Sequence, residues 1–476
     1  MIMGENMTTF NWRHKAILCV YTALLFLGAC AIVIFNWEIY GAILFGYIAA
    51  LTLLISPRLT DAMLPAMLLA VFVTRCYKSA DIFFSKLPLI LPIVLLIILH
   101  FIIYRKQYRA RFHLGRSFVG LCGVSIAVTL GGIGTIPAAD YFSGTSLFYI
   151  FGLGVGMLLF YVIVKSNFDE DSPKDVARIL YIAGLLACFC VLNFYVEAWD
   201  VVRVEKHTIV FQSSNNLATF LMLAMPFPIY YAAKHKIHLL SVILIYGCLL
   251  LTDSRGGVLM GTIEFFLLLI VAACQKKNPV GVRILSGGML IASVFLMCRF
   301  APQIGAFLGI IPAGDLPTAA EYGAGLEVYL KDNARSKLLV RMVEDLKSNP
   351  WFGVGIGYRG NIDLYNPAKG AMTWYHLWVA QVVGGLGTVG IIAYGYQLIE
   401  RIMLYFRNRM LINLTFFLSY LGLFLMSQVN PGEFCPMPYA ALAMTYFALI
   451  EEKPPKLPDP SVEQSLIRKM MSKFLR

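Results

Sequence analysis

The chain has 476 residues, of which 59% are hydrophobic and only 14% are charged, and its mean hydropathy is +0.72. Soluble globular proteins are about one quarter charged, so this composition excludes an ordinary soluble protein and indicates an integral membrane protein. The net charge of +12 does not indicate nucleic-acid binding, because the basic residues are spread over short loops and form no single basic surface.

Apolar segments follow one another almost without a pause, which predicts an all-α, polytopic membrane helix bundle with twelve to fourteen transmembrane helices. A crossing helix needs about 20 apolar residues. The candidate segments are 16–35, 39–55, 62–74, 87–104, 117–136, 146–164, 176–194, 217–233, 238–252, 256–274, 281–300, 376–398, 411–428 and 437–450. The segment 62–74 is short, so it is either a short crossing helix or a re-entrant one. The first segment is too long for the apolar core of a signal peptide, which predicts a retained helix.

The distribution of lysine and arginine predicts the orientation of these helices. If the N-terminus is cytoplasmic, the cytoplasmic segments hold most of the 39 lysine and arginine residues, as the positive-inside rule requires. Both termini are then cytoplasmic. The prediction is one transmembrane domain over 1–450 with a long extracytoplasmic loop, 299–375, and a cytoplasmic tail, 451–476. Within the loop, "SKLLVRMVEDLKSNPW" predicts an amphipathic helix that Asn349-Pro350 ends.

Few charged residues interrupt the apolar runs, and Arg255 is the most notable of them. It belongs to "LTDSRGGVLM", residues 251–260, between two runs long enough to be buried in a bilayer. A charge in a membrane costs several kcal/mol, so such residues mark functional sites or the membrane interface. The predicted topology places Arg255 at the outer interface.

Three further outer residues are candidates for anion binding and acid–base chemistry. Arg203 lies in the preceding outer loop, and Arg341 lies on the loop helix. Arginines on one face suit a phosphate-bearing ligand, because guanidinium pairs with phosphate through two hydrogen bonds. His376 lies where the long loop meets the next helix, and histidine is the commonest general base near neutral pH. Each of these residues, taken alone, also fits a structural role.

Other features favour structural interpretations or stay open. "GVGIGYRG" contains a GxGxxG pattern, but it lacks the flanking strand and helix of a dinucleotide site, which favours a tight turn. The ten cysteines are scattered and have no metal-binding spacing, so we expect neither a disulfide framework nor a metal site. Glu264 lies in the middle of a helix, where a proton relay and a neutral, hydrogen-bonded acid are both possible.

Four patterns in residues 195–400 together resemble the O-antigen ligase and O-antigen polymerase superfamily. The patterns are Arg255-Gly256-Gly257-Val258-Leu259, preceded by Ser254; His376 followed after ten residues by Gly387; Asn349-Pro350 with Gly353, Gly355 and Gly357; and Arg203 before Asn216-Leu217-Ala218. Members of the superfamily often have asparagine directly after the histidine, where this chain has Leu377.

The resemblance implies a GT-C-like, metal-independent and inverting glycosyltransferase without a cofactor, in the bacterial inner membrane, with its site facing the periplasm. Its donor would be a glycan on undecaprenyl diphosphate, and its acceptor a hydroxyl of lipid A-core or of another glycan. His376 would be the base, and Arg255, Arg203 and Arg341 would bind the diphosphate. Ser254 and the glycines of the patterns would shape the site; these glycines are Gly256, Gly257, Gly353, Gly355, Gly357 and Gly387. Membrane lipids would be the only other partners.

Two alternatives stay open. A polymerase of the same superfamily would transfer a growing chain to the next lipid-linked repeat unit. A transporter or flippase for lipid-linked sugar belongs to a different class, which commonly shows two related halves and charges near the membrane midplane. The sequence shows no clear repeat, and its charges gather on one predicted face, which favours the enzyme.

Overall fold

The structure is a computed structural model. It describes residues 3–76, 85–110, 115–135, 141–199, 214–276, 278–308, 334–356, 375–430 and 432–451. All regular secondary structure in these ranges is helical. Six of their helices are long and apolar enough to cross a membrane, namely Glu38–Ile55, Ser146–Asn167, Ser172–Glu197, Arg255–Cys274, Val280–Arg299 and Trp378–Arg407. The prediction of an all-α protein is confirmed for these ranges, and these six helices are candidates for crossing a membrane.

The first part of the chain forms one series of helices. In order they are α1 (Met3–Ile34), α2 (Glu38–Ile55), α3 (Leu59–Cys76), α4 (Leu87–Ile103), α5 (Arg105–Ala110), α6 (Arg116–Leu130), α7 (Gly144–Tyr149), a π-helical stretch (Ile150–Gly156), α8 (Met157–Asn167) and α9 (Ser172–Glu197). The predicted short segment 62–74 lies in α3, which is continuous and as long as α2, against which it packs.

The second part continues with shorter and more irregular elements. In order they are α10 (Ser214–Ala224), α11 (Phe227–Ala232), α12 (His238–Leu250), α13 (Arg255–Cys274), α14 (Val280–Arg299), α15 (Ala301–Leu308), α16 (Ala334–Ser348), α17 (Trp378–Arg407), α18 (Leu411–Ser427), a 3₁₀ turn (Gly432–Phe434), a π-helical turn (Pro436–Ala440) and α19 (Ala441–Ile450). The predicted segment 217–233 is broken between α10 and α11, because Pro226 and Pro228 interrupt the helical hydrogen bonds.

The core is a contiguous apolar cluster around α9, α10 and α18. In an 18-residue apolar window of α9 half of the residues are buried, whereas in such a window of α14 only 11% are. Ile291 and Phe295 of α14 are among the most exposed large hydrophobic side chains, at 73% and 69%. An apolar surface of this kind is what a bilayer covers, so α14 lies at the periphery of the bundle.

Helix α17 is folded back on itself at Gly387, whereas the sequence predicted one crossing segment over 376–398. Gly387 has φ 61° and ψ −154°. A Cβ built on Gly390 would lie 3.1 Å from the carbonyl oxygen of Val382, eight residues earlier. A straight helix would separate such residues by about 12 Å along its axis. We call residues 378–386 the short arm and residues 388–407 the long arm.

Hydrogen bonds between loops define the two ends of the bundle. At one end, which we call the Arg255 end, the Asn36 amide donates to the Glu197 carboxylate at 3.3 Å, and the Tyr195 hydroxyl donates to the Leu251 carbonyl at 2.7 Å. At the other end, which we call the Arg58 end, the Arg58 guanidinium pairs with Asp169 at 3.2 Å. The first residues of α10 and of α13 lie together at the Arg255 end, where the Ser254 hydroxyl donates to Asn215 Oδ1 at 2.6 Å.

Candidate functional site

Helix α13 begins at Arg255 because Ser254 caps it. The Ser254 Oγ accepts a hydrogen bond of 3.1 Å from the Gly257 amide and donates one of 2.6 Å to Asn215 Oδ1. An N-cap serine satisfies an amide that would otherwise lack a partner in the first turn. Asp253, just before the cap, has a φ of 57°, in the left-handed region. The cap therefore places Arg255, which is exposed, at the helix N-terminus.

The two glycines after Arg255 allow neighbouring elements to approach α13 closely. A Cβ on Gly256 would lie 2.7 Å from Val429 Cγ2, and one on Gly257 would lie 2.6 Å from Ala218 Cβ. Protein Cβ atoms do not approach each other this closely, so larger residues would displace these neighbours. The glycines thus serve packing against α10 and the connection after α18.

His376 lies two residues before the short arm, is partly exposed and has a φ of 50°. The residue before it, Tyr375, is buried and is held in two ways. Its hydroxyl donates to the buried Asp345 carboxylate, and its amide donates to Gln381 Oε1 at 3.2 Å. These bonds fix the backbone that leads into His376.

The glycine pattern after Asn349 and the glycine after His376 form one contact. The Val354 amide donates to the Gly384 carbonyl at 3.0 Å, and the Gly355 amide donates to the Gly385 carbonyl at 2.7 Å. A Cβ on Gly353, whose φ is 63°, would lie 2.5 Å from the Gly384 oxygen. The segment 349–356 therefore lies directly against the bend of α17. Two patterns that are separate in the sequence are one structural unit.

Arg341 lies on α16 beside two carboxylates. Its guanidinium is 3.0 Å from Asp345 and 3.6 Å from Glu344, and its side chain is 38% exposed. Since Asp345 also accepts from Tyr375, Arg341 is linked to the chain before His376. A contact between Arg341 and diphosphate stays a prediction. Two predicted site residues lie outside the described residues: Arg203, predicted to bind the diphosphate, and Gly357, predicted to shape the site.

The sequence did not single out the connection between α18 and α19, which contacts the first turn of α13 and the first residue of the short arm. Val429 packs against Gly256, and Glu433 accepts a hydrogen bond of 2.8 Å from the indole Nε1 of Trp378. The signal was the string "NPGEFCPMP" between two apolar runs, because proline and glycine break a helix and a glutamate does not suit an apolar segment. The structure thus brings the residues next to Arg255 and His376, namely Gly256 and Trp378, to the same connection.

Glu264 is 1% exposed, on α13, and neither of its carboxylate oxygens has a hydrogen-bond partner among the described residues. It lies against Gly422 of α18, well away from the Arg255 end. The described residues thus supply no hydrogen bond for a neutral Glu264, and a proton relay stays a hypothesis. Within the described ranges, no group of three histidine, cysteine or acidic side chains could hold a metal ion.

Comparisons with known proteins do not extend these observations: no protein-family model matches the chain, and the search of curated proteins found no match.

Proposed function

We propose that the protein is an O-antigen ligase-like glycosyltransferase, which moves a glycan from undecaprenyl diphosphate to a sugar hydroxyl of lipid A-core or of another glycan. The observation that supports this most is the convergence of Arg255 and His376. They belong to different helices far apart in the sequence, yet Gly256, next to Arg255, and Trp378, two residues after His376, both contact the connection between α18 and α19.

Arg255 suits the diphosphate of such a donor. It is an exposed arginine at the N-terminus of a 20-residue helix, where unpaired amides and the helix dipole both favour an anion. As the bond between the sugar C1 and the phosphate oxygen breaks, negative charge develops on the leaving diphosphate. Arg255, with Arg203, would stabilise that charge without a metal ion.

His376 suits the acceptor side of the same step. The acceptor hydroxyl would give its proton to the imidazole while its oxygen forms the new bond to C1 from the opposite face, which inverts the anomeric centre. The left-handed backbone at His376 and beside Arg255, at Asp253, supports this assignment, since strained conformations cluster at functional sites.

The distribution of charge supports a site on the outer face of the cytoplasmic membrane. Among the described residues, the Arg58 end carries most of the basic side chains. They are Arg58, Arg105, Lys106, Arg116, Lys165, Lys174, Arg178, Lys234, Lys236, Lys276, Arg283, Arg407 and Arg409. By the positive-inside rule this end would be cytoplasmic, and the Arg255 end periplasmic.

The test is transfer by purified protein from an undecaprenyl-diphosphate oligosaccharide, with lipid A-core and a second lipid-linked repeat unit supplied as separate acceptors. Product on lipid A-core identifies a ligase, and product on the repeat unit identifies a polymerase. His376→Ala should abolish transfer while the protein still folds, whereas His235→Ala, an exposed histidine at the Arg58 end, should stay active. Movement of the lipid-linked sugar across vesicles without transfer to either acceptor would identify a flippase instead.

A further inference from the structure

A buried ionic cluster lies beside the helix arm that follows His376. Arg401 of the long arm pairs with Glu433 Oε1 and donates to the Tyr420 hydroxyl at 2.7 Å. That hydroxyl donates in turn to Glu433 Oε1 at 3.1 Å. The Arg401 guanidinium also lies over the Tyr420 and Phe447 rings, 4.6 Å and 5.1 Å from their centroids. The cluster therefore joins the long arm, α18, α19 and the connection between the last two.

Both charges of the cluster are deep inside the bundle. Arg401 is 7% exposed and Glu433 is 5% exposed. Tyr420 lies seven residues before the end of α18, about 10 Å along the helix axis, so the Glu433 side chain reaches well below the end of the bundle. A buried ion pair adds little to stability relative to apolar residues, whereas the loss of one partner leaves an uncompensated charge. Its presence calls for a role other than simple packing.

The two oxygens of Glu433 contact different elements. Oε1 faces Arg401 and Tyr420, and Oε2 accepts the 2.8 Å hydrogen bond from Trp378 Nε1. Trp378 is the first residue of the short arm, two residues after His376. The centroid of its ring also lies 5.9 Å from the ring centroid of Tyr394, on the long arm. The carboxylate is thus a bridge between the long arm and the start of the short arm.

We propose that Glu433, held by Arg401, is a positioning residue for His376. The proposal rests on the proposed function only for the role of His376. The Trp378–Glu433 hydrogen bond fixes the first turn of the short arm. Because His376 is only two residues away, the position of this turn and the left-handed backbone at His376 together set the position of the imidazole. Glu433 itself contacts no substrate, because Arg401, Tyr420 and Trp378 occupy its carboxylate.

The first experiment measures the position of His376 without any activity assay. Full-length protein is treated with diethyl pyrocarbonate, and the modification rate of each histidine is read by mass spectrometry of its peptide. Trp378→Phe removes the donor but keeps an aromatic ring, and Glu433→Gln removes the charge. Both should change the rate at His376 several-fold. Tyr420→Phe, the matched control, removes a hydroxyl from the same cluster but keeps the Trp378 bond, and should leave the rate unchanged.

Two histidines in the same molecule serve as internal references. His100 is fully buried, with its ring nitrogens 2.7 Å from the Leu53 carbonyl and the Tyr108 hydroxyl, so its modification reports unfolding. His235 is exposed and should react equally in all variants. If His376 keeps its wild-type rate in folded Trp378→Phe and Glu433→Gln proteins, the positioning role is wrong.

Transfer kinetics separate this proposal from the proposed function. In Trp378→Phe, kcat should fall about ten-fold or more, because a small misplacement of a catalytic group is costly. The KM for the donor should stay near the wild-type value, and the pH dependence of kcat should shift. If the variants change the His376 modification rate but even the wild-type protein shows no transfer, the positioning role stands and the proposed glycosyltransferase activity is refuted. A normal pH profile and kcat in Trp378→Phe would refute the positioning role alone.

Discussion

At the scale of single residues, Arg255 and Arg341 show how surroundings separate two arginines that look alike in the sequence. Arg341 is within 3.6 Å of two carboxylates on its own helix. Arg255 is exposed in the first turn of α13, with Ser254 occupied in capping that turn. A phosphate would compete with Asp345 and Glu344 for Arg341, but would meet favourable helix amides beside Arg255. Arg255 is therefore the stronger candidate for contact with diphosphate.

We expect Arg255→Ala and Arg203→Ala each to weaken binding of undecaprenyl diphosphate by about 2 kcal/mol, or about 30-fold in Kd, since hydrogen bonds to charged groups contribute about that much. Arg255→Lys should stay impaired, because lysine keeps the charge but loses the planar fork. Arg299→Ala removes another exposed arginine from the Arg255 end and is the matched control. The measurement is titration of purified variants with the lipid. Wild-type affinity in both alanine variants would leave Arg255 as a topology anchor only.

At the scale of secondary-structure elements, the bend of α17 explains the spacing between His376 and Gly387. The short arm carries His376 from the bend towards the interior of the bundle, beside Trp378 and Glu433. The backbone at Gly387 has a combination of φ and ψ that is essentially confined to glycine. The Thr388 and Val389 amides, freed by the bend, donate to the Pro350 and Trp351 carbonyls at 2.9 Å and 3.1 Å. The segment after Asn349 thus completes the hydrogen bonding of the bend.

Gly387→Ala should therefore destabilise the fold by about 3 kcal/mol or prevent folding, because a Cβ would force a disallowed backbone. It would also lie 2.8 Å from the Trp351 carbonyl. The matched control is Gly395→Ala on the long arm, where a Cβ would meet no atom within 4 Å. Alanine there should stabilise the helix by up to about 1 kcal/mol. Thermal unfolding in detergent measures both variants; equal melting temperatures for Gly387→Ala and wild type would contradict the role of the bend.

At the scale of the whole molecule, the charges of the described loops differ between the two ends. The Arg58 end is also closely tied together. Arg58 pairs with Asp169 and Asp175, at 3.2 Å and 3.1 Å, and the buried Lys165 pairs with Glu451 at 3.3 Å. The proposed site is at the opposite end, where α14 ends at Arg299. An end rich in basic residues and an end that carries the site fit a protein with one fixed orientation.

We expect reporters to place the Arg58 end in the cytoplasm. Green fluorescent protein fused after residue 476 should fluoresce, because it folds in the cytoplasm, and alkaline phosphatase inserted near residue 320 should be active, because it needs the periplasm. The controls exchange the two reporters: green fluorescent protein inserted near residue 320 should not fluoresce, and alkaline phosphatase fused after residue 476 should be inactive. A fluorescent insertion at residue 320 would invert the topology and exclude a periplasmic site.

A second prediction at this scale concerns metal ions. In the proposed mechanism arginines stabilise the leaving diphosphate, and the described residues contain no cluster of metal-binding side chains. Turnover should therefore persist when EDTA is added in excess over divalent ions. Activity that is lost on chelation and restored by Mg²⁺ or Mn²⁺ would overturn the arginine-based account.

Much of the candidate site could be predicted only as separate pieces. Ser254 caps the helix that Arg255 begins, and such a cap depends only on residues within one turn. The contact of Gly353 with Gly384 and the contact of Glu433 with Trp378 and Arg401 left no such local pattern. These residues are distant in sequence, and their pairing depends on how whole helices pack.

The sequence by itself determined that this protein is helical and where its apolar segments lie. In a bilayer, backbone groups find no water, so long apolar runs must satisfy their hydrogen bonds as helices. Only the tertiary structure decided that α17 reverses at Gly387 and that Glu433 enters the bundle. Both arrangements depend on partners elsewhere in the chain: the Pro350 and Trp351 carbonyls complete the bend, and Arg401 compensates a charge that an apolar interior would otherwise exclude.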